Sequence, residues 1–263
     1  INLIVNLSEN KYKNQRFNNF LEMLGERLEN YWNWNWNSEW IKDGKLNCVK
    51  NFFYTNNSWL NDDWSKFETH KIFWEENFII EKILWLDFKI SPKSFFQTNS
   101  RWAENLYSIV KNFADEIEFN WEKLFLDLYC GTWTIWQILA KESDAQVIWI
   151  EYIQSAVEDA KINSKLNKLS NTDFICGKVE DKLPEILSEF DKLDLIVIDP
   201  PRAWMHKKAI QTIIESWAKN LIYISCNPST FARDAEIFSE VYELEKVKAV
   251  DMFPHTSHIE LVA

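Results

Sequence analysis

The sequence predicts an α/β fold, a mostly parallel seven-stranded sheet with helices on both faces, preceded by a smaller α+β region. Two observations predict it. From residue 101 onward, short runs of Leu, Ile, Val and Phe alternate with segments whose apolar residues recur every three or four positions, the pattern of fully buried strands and the helices that cover them. Several of those runs also end abruptly in turn-forming or reactive residues, as at Tyr129-Cys130-Gly131, Asp199-Pro200-Pro201-Arg202 and Ser225-Cys226-Asn227. In an open α/β sheet the carboxyl ends of the strands are where ligands bind.

Taken in order, residues 1–7 read as a strand and residues 17–28 as a helix, followed by polar turns and strand-like runs at 50–54, 70–74 and 77–83. These form a smaller mixed α+β region, residues 1–90, and the alternating part forms a second domain, residues 91–263. In the second, a helix at 101–117 leads to an apolar strand at 124–129, a tight loop and a short helix ending at 140. A strand at 146–151, a helix at 155–166, a strand at 173–176 and a helix at 183–190 follow. The most apolar strand is 193–199, then come a helix at 207–218, a strand at 221–225 and a helix at 230–239. Strands at 246–251 and 258–262 close the chain as an antiparallel pair. No internal repeat is present.

Composition narrows the class. A chain of 263 residues has room for a sizeable core. A net charge of −11 argues against indiscriminate polyanion binding, which needs an excess of Lys and Arg to neutralise phosphates. It leaves room for a local groove lined by residues such as Arg101, Arg202, Lys207, Lys208 and Arg233. Cys48, Cys130, Cys176 and Cys226 form no CxxC pair or regular framework, which fits a reducing cytosol and points away from a structural zinc or iron-sulfur site. No apolar run of membrane-spanning length and no leader pattern occurs, so a cytoplasmic, monomeric protein without a membrane partner is expected. The first residue is Ile1 and not Met, so the chain reads as a fragment.

Fifteen tryptophans stand against four glycines. Were every Trp a Gly, glycine usage would match the ordinary value of roughly 7%. Asn33-Trp34, Asn35-Trp36, Asp63-Trp64 and Asn120-Trp121 would then be Asn-Gly and Asp-Gly turns. The tryptophans therefore read as glycine codons translated differently, the alternative being a chain that is rich in Trp throughout.

Four motifs carry chemistry. Gly131-Thr132-Trp133-Thr134-Ile135-Trp136 follows a strand and opens a helix. With Gly at 133 and 136 it is GxGxxG, the turn that lets backbone approach a nucleotide-bearing cofactor, and Glu151 ends the next strand where a ribose hydroxyl is held. Asp199-Pro200-Pro201-Arg202 puts a carboxylate at a strand's carboxyl end before a stiff turn. Cys226 lies between a strand and a helix N-terminus, where a thiol is favoured as thiolate and so as nucleophile. Phe253-Pro254-His255-Thr256-Ser257-His258-Ile259-Glu260 offers Glu260 as a general base; its HxxH spacing lacks a helical HExxH context, and no metal is expected.

Together these motifs resemble the SAM-dependent RNA uracil-C5 methyltransferases, which make 5-methyluridine in tRNA or large-subunit rRNA. Ile90-Ser91-Pro92-Lys93-Ser94-Phe95-Phe96-Gln97-Thr98-Asn99 belongs to the same likeness, which runs from about Leu86 to Val262 and is looser before it. It implies a Rossmann-like class I methyltransferase domain that binds S-adenosylmethionine through Gln97, Tyr129, Gly131, Thr134, Glu151 and Asp199, and no iron-sulfur cluster. Cys226 would add to C6 of the uracil, Glu260 would remove the C5 proton, and Asp199 would sit where cofactor and base meet. Arg202 and Arg233 would line the pocket of a uridine flipped out of a structured RNA. The family's amino-terminal RNA-binding barrel is missing from these residues. Trp133, Trp136, Trp149 and Trp204 replace glycines of the family's pattern; taken literally they make a non-catalytic RNA-binding pseudoenzyme the alternative. An NAD-dependent oxidoreductase, resting on the restored GxGxxG alone, leaves Asp199, Cys226 and Glu260 unexplained.

Overall fold

The computed structural model describes residues 2–7, 41–42, 45–46, 51–56, 69–74, 78–91, 96–118, 124–129, 134–143, 145–190, 193–201 and 205–263. The chain divides into two compact units, Ile1–Ile80 with Lys89–Lys93 and Glu81–Phe88 with Ser94–Ala263. In the first, β1 (Asn2–Leu7) pairs in parallel with β4 (Asn51–Asn56), which pairs antiparallel with β5 (Thr69–Trp74). The short strands β2 (Ile41–Lys42) and β3 (Lys45–Leu46) form a separate antiparallel pair that the sequence pattern did not signal. The helix expected over 17–28 lies outside the described residues. A hairpin of β6 (Ile79–Ile83) and β7 (Leu86–Ile90) follows, turning at Leu84-Trp85 with Leu84 at φ 53°.

The larger unit alternates as expected. Helix α1 (Ser100–Asp115) precedes β8 (Leu124–Leu128), α2 (Thr134–Glu142), β9 (Gln146–Glu151), α3 (Gln154–Leu166) and β10 (Thr172–Cys176). Then come α4 (Val179–Glu189), β11 (Leu195–Ile198), α5 (Lys207–Glu215), β12 (Asn220–Ser225) and α6 (Pro228–Phe238). Strands β13 (Lys248–Val250) and β14 (Glu260–Val262) end the chain. The seven strands lie in the order β10-β9-β8-β11-β12-β14-β13. All run parallel except β14, which is antiparallel to both neighbours. Strand order reverses beside β8, the switch point at which open α/β sheets bind ligands.

Alternation along the strands divides the core. Leu124, Leu126, Leu128, Ile148, Ile150, Ile196 and Ile198 pack with Val179, Leu183 and Ile186 of α4, Ile210 and Ile213 of α5 and Phe231 of α6. The intervening residues, among them Phe125, Val147, Trp149, Val197 and Ile222, are equally buried on the other face, where α1 packs on β12, β13 and β14. Its buried stripe is Ala103, Leu106, Tyr107, Val110 and Ala114. Polar side chains fix the joints. Asn167 donates to the Asp87 carbonyl (2.9 Å) and accepts from the Asp87 N–H (3.0 Å), and Ser100 donates to Glu81 (2.8 Å).

Helix α4 begins four residues ahead of the expected 183–190. Lys178 starts it by accepting from the Asp181 (3.1 Å) and Lys182 (2.9 Å) N–H groups. Pro184 sits inside, at an exposed position where its lost donor costs a single bond, and the buried stripe Val179, Leu183 and Ile186 outweighs it.

Four tryptophan side chains are described. Trp149 is fully buried and meets Phe174 edge-on, with centroids 4.3 Å apart. Trp85 and Trp102 are exposed without left-handed backbone. Trp217 differs: it follows the C-cap Ser216 of α5 at φ 51° and is 77% exposed, the helix-terminating position where glycine is favoured. Left-handed backbone costs an L-residue roughly 1–2 kcal/mol, and little burial offsets it here. Trp217→Gly is expected to stabilise the chain by about 1 kcal/mol, read as a higher urea midpoint at unchanged slope; a lower midpoint would count against glycine at this position.

Candidate active site at the carboxyl edge of the sheet

The register of the parallel strands gathers the reactive residues at one end. Ile198 is level with Leu128 on one side and Tyr223 on the other, and Leu128 is level with Ile150. Tyr129, Glu151 and Asp199 therefore end or follow β8, β9 and β11 side by side. Cys226 follows β12 directly. Because β14 runs the other way, its first residue, Glu260, reaches the same edge: Ile224 pairs with Val262 and Ser225 with Leu261, so Cys226 and Glu260 are next in register. Continued by one residue, the alternation puts Asp199 with Val197, Cys226 with Ile224 and Glu260 with Val262, all on the face that α1 covers.

Electrostatics agree with this placement. The Asp199 carboxyl is pushed up from 3.8 to about 8, first by burial and then by the negative Glu260. Tyr107, on the buried stripe of α1, is held well above the ordinary phenol value, chiefly by burial. The Thr134 hydroxyl, on the first residue of α2, opposes that shift, and the charges of Asp199 and Glu260 add to it. Tyr107, Thr134, Asp199 and Glu260 thus form one neighbourhood. Sequence reasoning missed Tyr107, since an aromatic residue on a helix's apolar stripe reads as core.

Tyr129 breaks the alternation. Its φ of 66° turns the chain at the end of β8, and its ring packs against the core cluster beneath α4–α6. Burial raises its hydroxyl's affinity for the proton, with Glu180 and Asp234 adding to the effect. A bulky residue in that conformation costs on the order of 1–3 kcal/mol and tends to mark a functional loop.

Glu151 is 8% exposed; one carboxylate oxygen accepts from the Ile153 N–H (2.8 Å) and its carbonyl accepts from Gly177 (2.8 Å). Cys226 is in no disulfide, partly buried, and two residues ahead of the first residue of α6. On α6, Arg233 donates through Nε (2.9 Å) and Nη2 (2.5 Å) to Asp234, whose other oxygen accepts from the Tyr223 hydroxyl (2.8 Å). Half-buried Gln97 lies just before α1, where Asn99 donates to the Met252 carbonyl (2.9 Å) in the connection between β13 and β14. Gly131, Arg202 and the loop tryptophans Trp133 and Trp204 lie outside the described residues.

What this edge can do follows from its groups: carboxylates that accept hydroxyl or ammonium hydrogens, a thiol at a helix N-terminus, and a carboxyl beside it able to hold or take a proton. A carboxyl whose folded pKa exceeds its unfolded value stabilises the fold at low pH and loses that contribution as pH rises through the folded value. Between about 4 and about 8 each pH unit removes at most on the order of 1.4 kcal/mol, less where water screens the group. The thermal midpoint is expected to fall from pH 5 to pH 8, and Asp199→Asn to remove most of that fall; equal slopes in both proteins would refute the shift.

A family model described as tRNA (Uracil-5-)-methyltransferase matches residues 65–262. An uncharacterized RNA methyltransferase of Caldanaerobacter subterraneus is 46% identical over 206 residues, 77% of this chain and 44% of its own length. One from Clostridium tetani is 47% identical over 192 residues, 73% of this chain and 41% of its own length. The chain thus spans less than half the length of these curated relatives. Among solved structures, the Pyrococcus abyssi tRNA (uracil-54, C5)-methyltransferase in complex with S-adenosyl-L-homocysteine is similar with a TM-score of 0.64 and 32% identity, over 81% of this chain and 50% of that one. The complex of aTrm5 with tRNALeu, at 15% identity and a TM-score of 0.59 over 100% of this chain and 68% of that one, shares the fold. No described helix is long and apolar enough to cross a membrane.

Proposed function

The chain belongs to the tRNA (uracil-5-)-methyltransferase family, and we propose that it transfers a methyl group from S-adenosylmethionine to C5 of a uridine in tRNA or large-subunit rRNA. The observation that carries this reading is the register that sets Cys226 and Glu260 next to each other, with Asp199 on the same face. A nucleophile and a base are what methylation at C5 requires, because that carbon is a poor nucleophile until something adds to C6 and must then lose its proton.

The residues fit the cofactor. Buried Glu151, at the end of β9, would accept from the ribose hydroxyls. Gln97, Tyr129 and the loop from Gly131 to Thr134 would complete its site. Bound there, S-adenosylmethionine supplies an electrophilic methyl group. Cys226, as thiolate, would add to C6 and move the C5–C6 electron pair towards O4, which makes C5 nucleophilic enough to take the methyl; the carbon–sulfonium bond would break with its electron pair left on sulfur as a neutral thioether. Glu260 then removes the C5 proton, the C6–sulfur bond breaks, and the thiolate is regenerated. A thiol at the edge of a sheet reaches C6 only in an unstacked base, so the uridine would be flipped, and Arg202 and Arg233 would line its pocket.

Cys226→Ala is expected to abolish methyl transfer to unmodified tRNA and large-subunit rRNA transcripts, and undiminished turnover would rule the mechanism out. Glu260→Gln is expected to accumulate a denaturation-resistant protein–RNA adduct on the same transcripts. Glu151→Gln removes a charge-assisted acceptor and is expected to weaken S-adenosylmethionine binding roughly 10- to 100-fold by calorimetry; unchanged affinity would place the ribose elsewhere.

A further inference from the structure

Ser225 is the last residue of β12, 3% exposed, and paired with Leu261 in the sheet. Its hydroxyl closes a small ring around the next residue. It donates to the Asn227 carbonyl (3.0 Å) and accepts from the Asn227 N–H (3.1 Å), so both polar groups of Asn227's backbone are tied to one side-chain oxygen. Asn227 is held from its far side as well. Its carbonyl also accepts from the Thr230 hydroxyl (2.9 Å) and the Phe231 N–H (3.0 Å), and its side chain caps α6 by accepting from the Ser229 N–H (3.0 Å). The single residue between these fixed points is Cys226.

We propose that Ser225 is a positioning residue for the Cys226 thiol. The inference rests on Cys226 being the nucleophile. With the residue before it locked in the sheet and the residue after it locked by the Ser225 hydroxyl, the backbone of Cys226 has one conformation, and side-chain rotation alone sets where the sulfur lies. That backbone conformation sets Cys226 just ahead of the N-cap of α6, where the helix's partial positive charge favours a thiolate, and next in register to Glu260. A sulfur displaced by about 1 Å loses on the order of 100-fold in an addition step. Thr230, partly exposed, reinforces the same carbonyl from the first turn of α6.

The test follows the thiol itself. Alkylation of the chain by iodoacetamide, with no RNA present, is measured against pH by mass spectrometry of the tryptic peptide spanning 220–233, which contains Cys226 as its one cysteine. The wild-type rate is expected to inflect below the ordinary thiol value of about 8.5. In Ser225→Ala the inflection moves up towards that value. There kcat on the RNA transcripts falls roughly 10- to 100-fold, while KM and the S-adenosylmethionine dissociation constant stay within about 2-fold. Ser225→Thr, which keeps the hydroxyl, restores both readouts. Thr230→Ala leaves the buried serine untouched and gives a smaller shift in the same direction, which decides the matter if Ser225→Ala does not fold. A wild-type inflection and kcat in folded Ser225→Ala, or no shift in Thr230→Ala where Ser225→Ala is unfolded, overturns the proposal. Full turnover in Cys226→Ala instead overturns the nucleophile, a separate failure.

Discussion

Everything proposed for this chain hangs from strand register. Glu151, Asp199, Cys226 and Glu260 come from four strands and are separated by tens of residues in sequence, and they share an edge because the parallel ladder aligns the strand ends. A one-residue slip of any strand would move its reactive residue to the other face. Polar clamps far from the chemistry hold that alignment. At the amino edge, buried Asp194 accepts from the Leu124 N–H through its side chain (3.2 Å), donates to the Leu124 carbonyl (3.1 Å) and receives the Asn220 amide on its own carbonyl (2.9 Å). Three neighbouring strands are thereby fixed end-on. On the other side, Tyr223 and Ala263 exchange two backbone bonds, of 2.7 and 2.9 Å, and seat the last strand against β12. β14 is the one strand that runs backwards, and its reversal is what delivers an acid from the chain's end to a thiol that precedes it by more than thirty residues.

The edge so built is anionic, in a chain already at −11. Two carboxyls on one face disfavour each other's ionisation, and Asp199 relieves the conflict by keeping its proton to about pH 8. An arrangement of that kind does not stabilise a fold; a pair of apolar residues would serve better. Nor does it attract RNA. The proposed association with RNA would therefore rest on local cations and on a base entering the site, and much less on a long-range field. The left-handed backbone at Tyr129 is a second local cost at the same edge.

Much of this was legible in the sequence. The apolar runs of β8 and β11 are uninterrupted except by Asp127, so strands buried on both faces could be read directly. Asp199 stood out because a carboxylate ends the most apolar run, Cys226 because a thiol lies between a strand and a helix N-terminus, and Glu260 because an acid opens the last strand. The two-residue strands β2 and β3 were invisible because a pair of residues carries no period. Pro184 masked the first turn of α4, since proline reads as a boundary although one missing donor on an exposed face is tolerable. Tyr107 and Ser225 escaped for another reason. Nothing local distinguishes a core aromatic from one that touches a site, and only the tertiary fold puts Tyr107 beside Asp199; the Ser225–Asn227 turn is local, but serine signals such a turn only weakly in a sequence.

The tryptophan excess divides along the same line between local and tertiary information. At Trp217 the backbone itself asks for glycine: the conformation is left-handed, the ring is in solvent, and the position is the one that ends a helix. At Trp149 the request is absent, because the strand is extended and the indole fills space beside Phe174 on the face opposite the α4–α6 core. Backbone strain and side-chain packing are different witnesses to residue identity. Strain at a turn persists whatever surrounds it, whereas a packed core position shows only the contacts of the ring that occupies it. A glycine replaced by tryptophan therefore leaves its clearest mark at exposed turns, and Trp217 bears that mark.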